Sequence, residues 1–298
     1  MQRENETKYI LIYFGAIFCF ALGGAFVRYS VLLPCSTGFY RMLLTVLILL
    51  PIVWRELRHT NRRDVRNLLL GGLLFGLNIW LWNYSLVATT QANANLLANL
   101  HVFVTAPVSC LVYHEKLRGH FFLGIGIALL GLVMLILGKA DPQPGYFIGD
   151  AAAFITALVY GGYLMTTYVA RDRCSTACTL FLSALGSLFV LFPVMLLSEG
   201  FSFPARWDAI WPLLVIVAIG QFGGIGLVSY CLGSIQVSLG STLSLTQPAI
   251  GALLGLVLFG EKLSWMELLA ILIISCGVYL AQRRPAVEKK ALGDMRHE

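Results

Sequence analysis

Long runs of apolar residues, separated by short polar segments, make up most of the chain. A helix needs about 20 mainly apolar residues to cross the hydrocarbon core of a bilayer. Cutting the sequence at charged residues and at Pro or Gly breaks predicts ten such helices: 9–30, 38–54, 67–87, 91–113, 121–138, 146–170, 177–197, 209–233, 237–259 and 265–282. The pattern therefore predicts an all-α integral membrane protein with ten transmembrane helices.

Composition and charge support this class and suggest an orientation. Charged residues make up 12% of the chain, against roughly 25% in a soluble domain. The net charge of +6 comes from basic residues in short loops between apolar runs, so we expect no nucleic-acid partner. With the N-terminus inside, 16 of the 21 Lys and Arg residues lie on the cytoplasmic side. By the positive-inside rule, this predicts a bacterial inner-membrane protein with both termini cytoplasmic.

The sequence holds no pattern typical of an enzyme or a metal site. Cys174 and Cys178 lie four apart without a second pair or a His cluster, so we interpret the cysteines as small apolar packing residues. A Walker motif, a zinc pair and a nucleophile constellation are also missing from the sequence. We therefore expect neither enzymatic activity nor a cofactor.

Two parts of the chain resemble each other. The segment "YHEKLRGHFFLGIGIALLGLVML" at 113–135 has a partner in "FGEKLSWMELLAILIISCGVYL" at 259–280, at an offset of 146 residues. The same offset carries Gly131 onto Gly277 and His101 onto Gln247. Farther upstream, "ALGG" at 21–24 matches "VYGG" at 159–162 at an offset of 138.

The repeat predicts the organisation of the chain. We expect a first five-helix repeat at 9–138, a second at 146–282 and a cytoplasmic tail at 283–298. Because five is odd, the second copy enters the membrane from the opposite side. Inverted repeats of this kind are typical of alternating-access transporters, whose substrate site lies near the midplane between the halves.

The two halves resemble the EamA-like branch of the drug/metabolite transporter (DMT) superfamily. Each half ends in an "EKL" turn before a Gly-bearing last helix, and Pro248 stands thirteen residues before Glu261, as in the family pattern. "GFYRMLLTVLILLP" is similar to the family's second helix, with Arg41 where an Arg is usual. The sequence departs from the family at Val102, where the first half would carry its Pro. The resemblance implies transport of small metabolites, often amino acids or their derivatives.

The fourth predicted helix carries an unusual density of polar residues. Polar side chains in a membrane are costly unless they find partners or face water. At about 100° per residue, Gln91, Asn95 and Asn99 share one face, whereas Asn93 lies opposite. We expect Asn95 and Asn99 to line the substrate cavity; hydrogen bonds between helices are the alternative. Because no Asp or Glu lies near the middle of a predicted span, His101 is the best candidate for proton coupling.

Other polar and aromatic residues complete the candidate substrate-binding set. Aromatic rings and amides together can hold a small amphipathic solute. Arg41 could bind a substrate carboxylate bidentately, or it could pair within the scaffold. The Gly-rich run at 220–226 either packs closely against a neighbour or unwinds. The remaining candidates are Asn78 and Trp80 in the third helix and Tyr160, Tyr163, Gln221, Ser241, Ser244 and Gln247 in the second half.

Together these features predict a secondary transporter that exports a small polar metabolite, an amino acid or a derivative, by alternating access between two inverted halves. An exchanger or an exporter of other metabolites or drugs is the first alternative. A membrane enzyme or sensor is the second, but the titratable cluster that an enzyme needs is limited to His114, Glu115 and His120. The small-molecule substrate and the lipid bilayer are the expected partners, and both a monomer and a homodimer fit the sequence.

Overall fold

The computed structural model describes residues 2–88, 97–113, 119–137, 147–259 and 264–282, and these residues form helices joined by short connections. The helices, in chain order, are α1 Gln2–Phe26, α2 Pro34–Leu57, α3 Arg62–Ala88, α4 His101–Tyr113, α5 Gly119–Leu137, α6 Phe147–Ala170, α7 Thr176–Ser198, α8 Trp207–Leu232, α9 Val237–Ser244, α10 Gln247–Phe259 and α11 Trp265–Gln282.

Seven helical segments of the described residues are long and apolar enough to cross a membrane. They are Thr7–Phe26, Pro34–Leu57, Arg62–Ser85, Phe147–Ala170, Thr176–Ser198, Trp207–Leu232 and Val237–Leu258. Three shorter apolar helices cover Leu97–Leu111, Gly119–Met134 and Trp265–Ala281. The protein is therefore an all-helical, multi-pass membrane protein. The shorter helices border residues outside the described part, so the number of ten crossings stays a prediction.

Most of the large helix contacts follow a reciprocal pattern; α3 and α7 are the exception, because the corresponding contact between α8 and α2 is much smaller. Helix α1 packs along α8 and α3 packs along α6, while α2 packs on α7 and α5 on α11. Exchanging the first five predicted helices for the second five converts the α1–α8 contact into the α6–α3 contact. The same exchange leaves the α2–α7 and α5–α11 pairs unchanged.

The α5–α11 pair shows this reciprocity at the level of single residues. A Cβ atom added at Gly124 would lie 2.6 Å from the carbonyl oxygen of Gly277, and one added at Gly131 would lie 2.9 Å from that of Ala270. The offset of 146 carries Gly124 onto Ala270 and Gly131 onto Gly277, so each contact is the counterpart of the other. Small residues let the two backbones approach this closely.

The α2–α7 pair carries a carboxylate at each end. Glu199, just after α7, accepts hydrogen bonds from the backbone nitrogens of Cys35 and Ser36 in the first turn of α2, both at 2.7 Å. Glu56, near the end of α2, accepts one from the backbone nitrogen of Ser175, which precedes α7, at 2.8 Å. The first turn of a helix has unpaired N–H groups and a partial positive charge. Each helix therefore caps the start of the other.

Two helices are interrupted at corresponding positions. A turn at Leu100 precedes α4, and a turn at Leu245 and Thr246 separates α9 from α10. The backbone nitrogen of Leu100 donates to the Leu97 carbonyl, and that of Thr246 donates to the Leu243 carbonyl, both at 3.1 Å. These are equivalent bonds at the 146-residue offset. The first half has this break although it carries Val102 where the second carries Pro248, and Pro107 lies inside α4.

Helix α8 is wound as a π-helix over Ile216–Gly226. A Cβ atom added at Gly23 in α1 would lie 2.4 Å from the Cα of Gly220, and one added at Gly224 would lie 2.9 Å from the Cα of Phe20. The Gly-rich run therefore serves close packing against α1, and it remains helical. π-Helical turns are often found at functional sites.

Candidate functional site

Polar side chains from six helices meet inside the helix bundle, and we call this group the central polar cluster. Its contacts join helices of both predicted halves, and most of its members are buried. The cluster consists of Tyr13 on α1, Arg41 on α2, His101 and Thr105 on α4, Tyr160 and Tyr163 on α6, Gln221 on α8, and Ser241 and Ser244 on α9.

Arg41 and Gln221 form one side of the cluster. The Nε atom of Arg41 donates a hydrogen bond to Oε1 of Gln221 at 2.7 Å. Gln221 lies in the middle of the π-helical segment and is buried. The Nη2 atom of Arg41 is also buried and has no hydrogen-bond partner in the part of the chain that the structure describes. The guanidinium interacts electrostatically with Tyr160 and Tyr163.

His101 lies on the other side of Tyr160. The two rings meet edge to face, with their centroids 5.0 Å apart. The Nδ1 atom of His101 is 3.2 Å from the carbonyl oxygen of Ala98. Its Nε2 atom is buried and, among the described residues, has no hydrogen-bond partner. Tyr160 thus lies between Arg41 and His101, each of which has a buried nitrogen without a partner among the described residues.

Hydroxyl groups tie α9 to the first half of the chain. Thr105 donates to the hydroxyl of Ser241 at 2.7 Å, and Ser241 in turn donates to the Ser238 carbonyl at 2.9 Å. Tyr13 lies 3.2 Å from the hydroxyl of Ser244, which is 3.1 Å from the Gly240 carbonyl. These bonds satisfy polar groups that would be costly to bury without a partner.

The structure brings together six of the residues predicted from the sequence: Arg41, His101, Tyr160, Tyr163, Gln221 and Ser241, with Ser244 beside them through Tyr13. Gln247 is half-buried at the first position of α10. That these residues bind a substrate stays a prediction.

The remaining predicted residues lie elsewhere or outside the described part. Asn78 donates from Nδ2 to the Thr156 carbonyl of α6 at 3.3 Å, which is the kind of contact between helices that was the alternative for Asn95 and Asn99. Trp80 is half-buried and packs against the apolar core. Asn99 is half-buried in the short helical segment 97–99, just before the turn at Leu100. Asn95, and with it Gln91 and Asn93, lies outside the described residues.

The sequence interpretation missed two members of the cluster. Tyr13 lies in an apolar run whose pattern does not distinguish its inward face, and it is nevertheless completely buried. Thr105 follows His101 by one helical turn, so its shared face with His101 was a usable signal. Tyr13, in contrast, is recognised only when the packing of α9 against α1 is known.

The cluster and the fold define a class: a multi-pass membrane protein with a buried polar site between its helices. Comparison with known proteins identifies the family. The model of the EamA-like transporter family matches residues 7–137 and again 147–282. The chain therefore belongs to the EamA-like transporter family.

Individual relatives agree with this assignment. A Salmonella typhimurium protein named "Probable amino-acid metabolite efflux pump" is 26% identical over 63% of this chain and 66% of its own length. An Escherichia coli protein of the same name is 23% identical over the same shares. The chain thus spans just under two thirds of these relatives. An Archaeoglobus fulgidus protein, named an uncharacterized transporter, is 25% identical over 83% of this chain and 86% of its own length.

The fold also occurs among solved structures. One crystal structure of a protein superposes with a TM-score of 0.76, covering 93% of this chain and 96% of the other, at 21% identity. At that identity the likeness concerns the fold alone.

Proposed function

We propose that the protein is a secondary transporter of the bacterial inner membrane that exports a small polar metabolite, an amino acid or a derivative. The observation that carries this proposal is the central polar cluster, because it joins helices of both halves inside a membrane protein. Polar groups are retained in such a place when they contact a solute or an ion. The names of the Salmonella and Escherichia coli relatives support an amino-acid metabolite as the cargo.

The transport cycle that we propose is alternating access between two inverted five-helix repeats at 9–138 and 146–282. The reciprocal helix contacts support this arrangement, as do the equivalent breaks before His101 and Gln247. Interrupted helices in corresponding positions of two halves are a recurrent feature of transporter substrate sites. In this scheme both termini and the tail at 283–298 are cytoplasmic, since that side holds most of the Lys and Arg residues.

Flux measurements test the proposal. Purified protein in proteoliposomes loaded with labelled amino acids should release at least one of them faster than empty liposomes do. Asn95→Leu and Asn99→Leu should reduce this flux more than they reduce expression, because they remove amides from the face expected to line the cavity. Ser275→Leu is the matched control, since Ser275 is exposed on α11. Undiminished flux in both Asn variants would remove them from the pathway. Inserted protein that moves no amino acid or related metabolite would contradict the function.

A further inference from the structure

Arg41 carries a positive charge inside the membrane protein. Among the described residues no carboxylate forms an ion pair with it, and its electrostatic neighbours are Tyr163 and Tyr160. The segment 89–96, which lies outside the described residues, contains neither Asp nor Glu. Glu199, the acidic residue at the nearer end of the α2–α7 pair, is bound to the first turn of α2.

A charge in this position needs a partner. Burying a guanidinium is strongly unfavourable unless it is paired and fully hydrogen-bonded. Gln221 supplies one neutral acceptor to Nε, whereas Nη2 has none among the described residues. Arg presents its N–H groups as a planar fork that matches a carboxylate. The protein therefore offers at Arg41 an anion site that no described side chain fills.

His101 offers the complementary group on the other side of Tyr160. The Ala98 carbonyl can only accept a hydrogen bond, so the Nδ1 atom that lies 3.2 Å from it is the donor. In the neutral imidazole, Nε2 then carries the lone pair and is an acceptor. This buried atom has no hydrogen-bond partner among the described residues, and the backbone carbonyl of Ser241, which also faces the ring, is a second acceptor. An ammonium N–H group is a suitable donor, and the ring of Tyr160 lies beside that of His101.

We propose that the central polar cluster binds the zwitterionic head of an α-amino acid, with the carboxylate on Arg41 and the ammonium group on Nε2 of His101. This inference rests on the proposed function and specifies its substrate class. It requires both charged groups in the ligand. An amine that lacks the carboxylate leaves Arg41 uncompensated and adds a second positive charge beside it, so decarboxylated amines are excluded.

Binding to the purified full-length protein distinguishes these ligand classes through matched analogues. The probes are phenylalanine, phenethylamine and 3-phenylpropionate, together with leucine, isopentylamine and 4-methylpentanoate, each measured by the shift in thermal unfolding against concentration. We expect an amino acid to bind at least about tenfold more tightly than its amine, with the carboxylate analogue in between. An amine that binds as well as its amino acid, or a complete series without binding, would overturn the proposal.

Two substitutions locate the binding to Arg41. Arg41→Met should abolish the response to amino acids, whereas Arg206→Met should keep it, because Arg206 pairs with Asp208 in an exposed loop. Gln221→Glu keeps Arg41 and places a carboxylate of equal size against it. This internal carboxylate should raise the unfolding temperature and eliminate amino-acid binding, so the test does not depend on the folding of Arg41→Met. Unchanged binding in Gln221→Glu would contradict the role of Arg41.

His101 is tested in the same assay. His101→Leu should make the amino acid and its carboxylate analogue bind equally, since it removes only the ammonium partner. A retained preference for the amino acid would overturn this half of the proposal. Measured flux of a solute that lacks the zwitterionic head, with unaltered flux in Arg41→Met, would refute the inference and leave the transporter function in place.

Discussion

Two regions of the helix bundle differ in symmetry: the contacts that hold α5 to α11 and α2 to α7, and the central polar cluster. The α5–α11 crossing and the two carboxylate caps of α2 and α7 have the same kind of contact in both halves. The central polar cluster lacks such matching contacts. At the 146-residue offset, His101 corresponds to Gln247, and Gln221 corresponds to Phe75, which stacks on Tyr163 with ring centroids 4.5 Å apart.

This difference has a physical reason. In an alternating-access scheme the two halves perform the same movement on opposite sides of the membrane, so the contacts that hold them benefit from being alike. An α-amino acid has no two-fold symmetry axis, so a site on the pseudo-two-fold axis must differ between the halves to bind it in one orientation. Substitutions at the α5–α11 crossing and at the carboxylate caps should therefore affect folding, and substitutions in the central polar cluster should affect transport.

The largest effect is expected at the α5–α11 crossing. A Cβ atom added at Gly124 would lie 2.4 Å from the backbone nitrogen of Ala281, so Gly124→Leu forces the two helices apart. We expect it to destabilise the protein by more than about 3 kcal/mol, with little folded protein recovered by size-exclusion chromatography. Gly126 is the control on the same helix, because a Cβ atom there meets nothing within 4 Å. Equal yields of Gly124→Leu and Gly126→Leu would show that the crossing is not rigid.

Much of the helix arrangement and of its repeated contacts could be predicted from the sequence. The offset that aligns the two "EKL" turns also aligns Leu100 with Thr246, and both positions are turns in the structure. Apolar runs located most of the helices but not their ends: α1 begins at Gln2 rather than at 9, and α2 begins at Pro34 rather than at 38. These features are local or repeated, so a single sequence records them.

The pairing of side chains across the interior could not be predicted in the same way. Arg41 meets Gln221 across 180 residues of sequence, and Gln221 lies in the π-helical segment of α8, whose winding the sequence pattern does not reveal. Asn78 had the polarity expected of a cavity residue, but its amide donates to the backbone of α6. Helical periodicity defines a face without saying which neighbour that face contacts, and the caps at Glu56 and Glu199 escaped prediction for the same reason.

A smaller effect is expected at His101, and it should concern pH dependence rather than folding. Protonation turns Nε2 from an acceptor into a donor, which disfavours an ammonium group beside it. Because a buried imidazole resists protonation, amino-acid flux in the natural protein should stay level down to about pH 5 and fall severalfold below it. His101→Gln, which copies its counterpart Gln247, should flatten this profile. His120→Gln is the control because His120 is exposed, and a pH profile that His101→Gln leaves intact would contradict the role of His101.

The smallest effect is expected at the two carboxylate caps, where it tests whether the two ends of the α2–α7 pair are stabilised to the same extent. Glu199→Gln keeps an acceptor but removes the charge that the first turn of α2 attracts. Glu56→Gln does the same at the start of α7. Each should lower the free energy of unfolding by about 1 kcal/mol, measured by thermal unfolding in detergent, and leave the amino-acid preference unchanged. Asp208→Asn in the exposed Arg206 pair should cost less. A clear loss of stability in one cap variant and none in the other would mean that the two ends of the α2–α7 pair are stabilised by different interactions. The reciprocal arrangement would then extend to the helix backbones but not to the energies of these side-chain contacts.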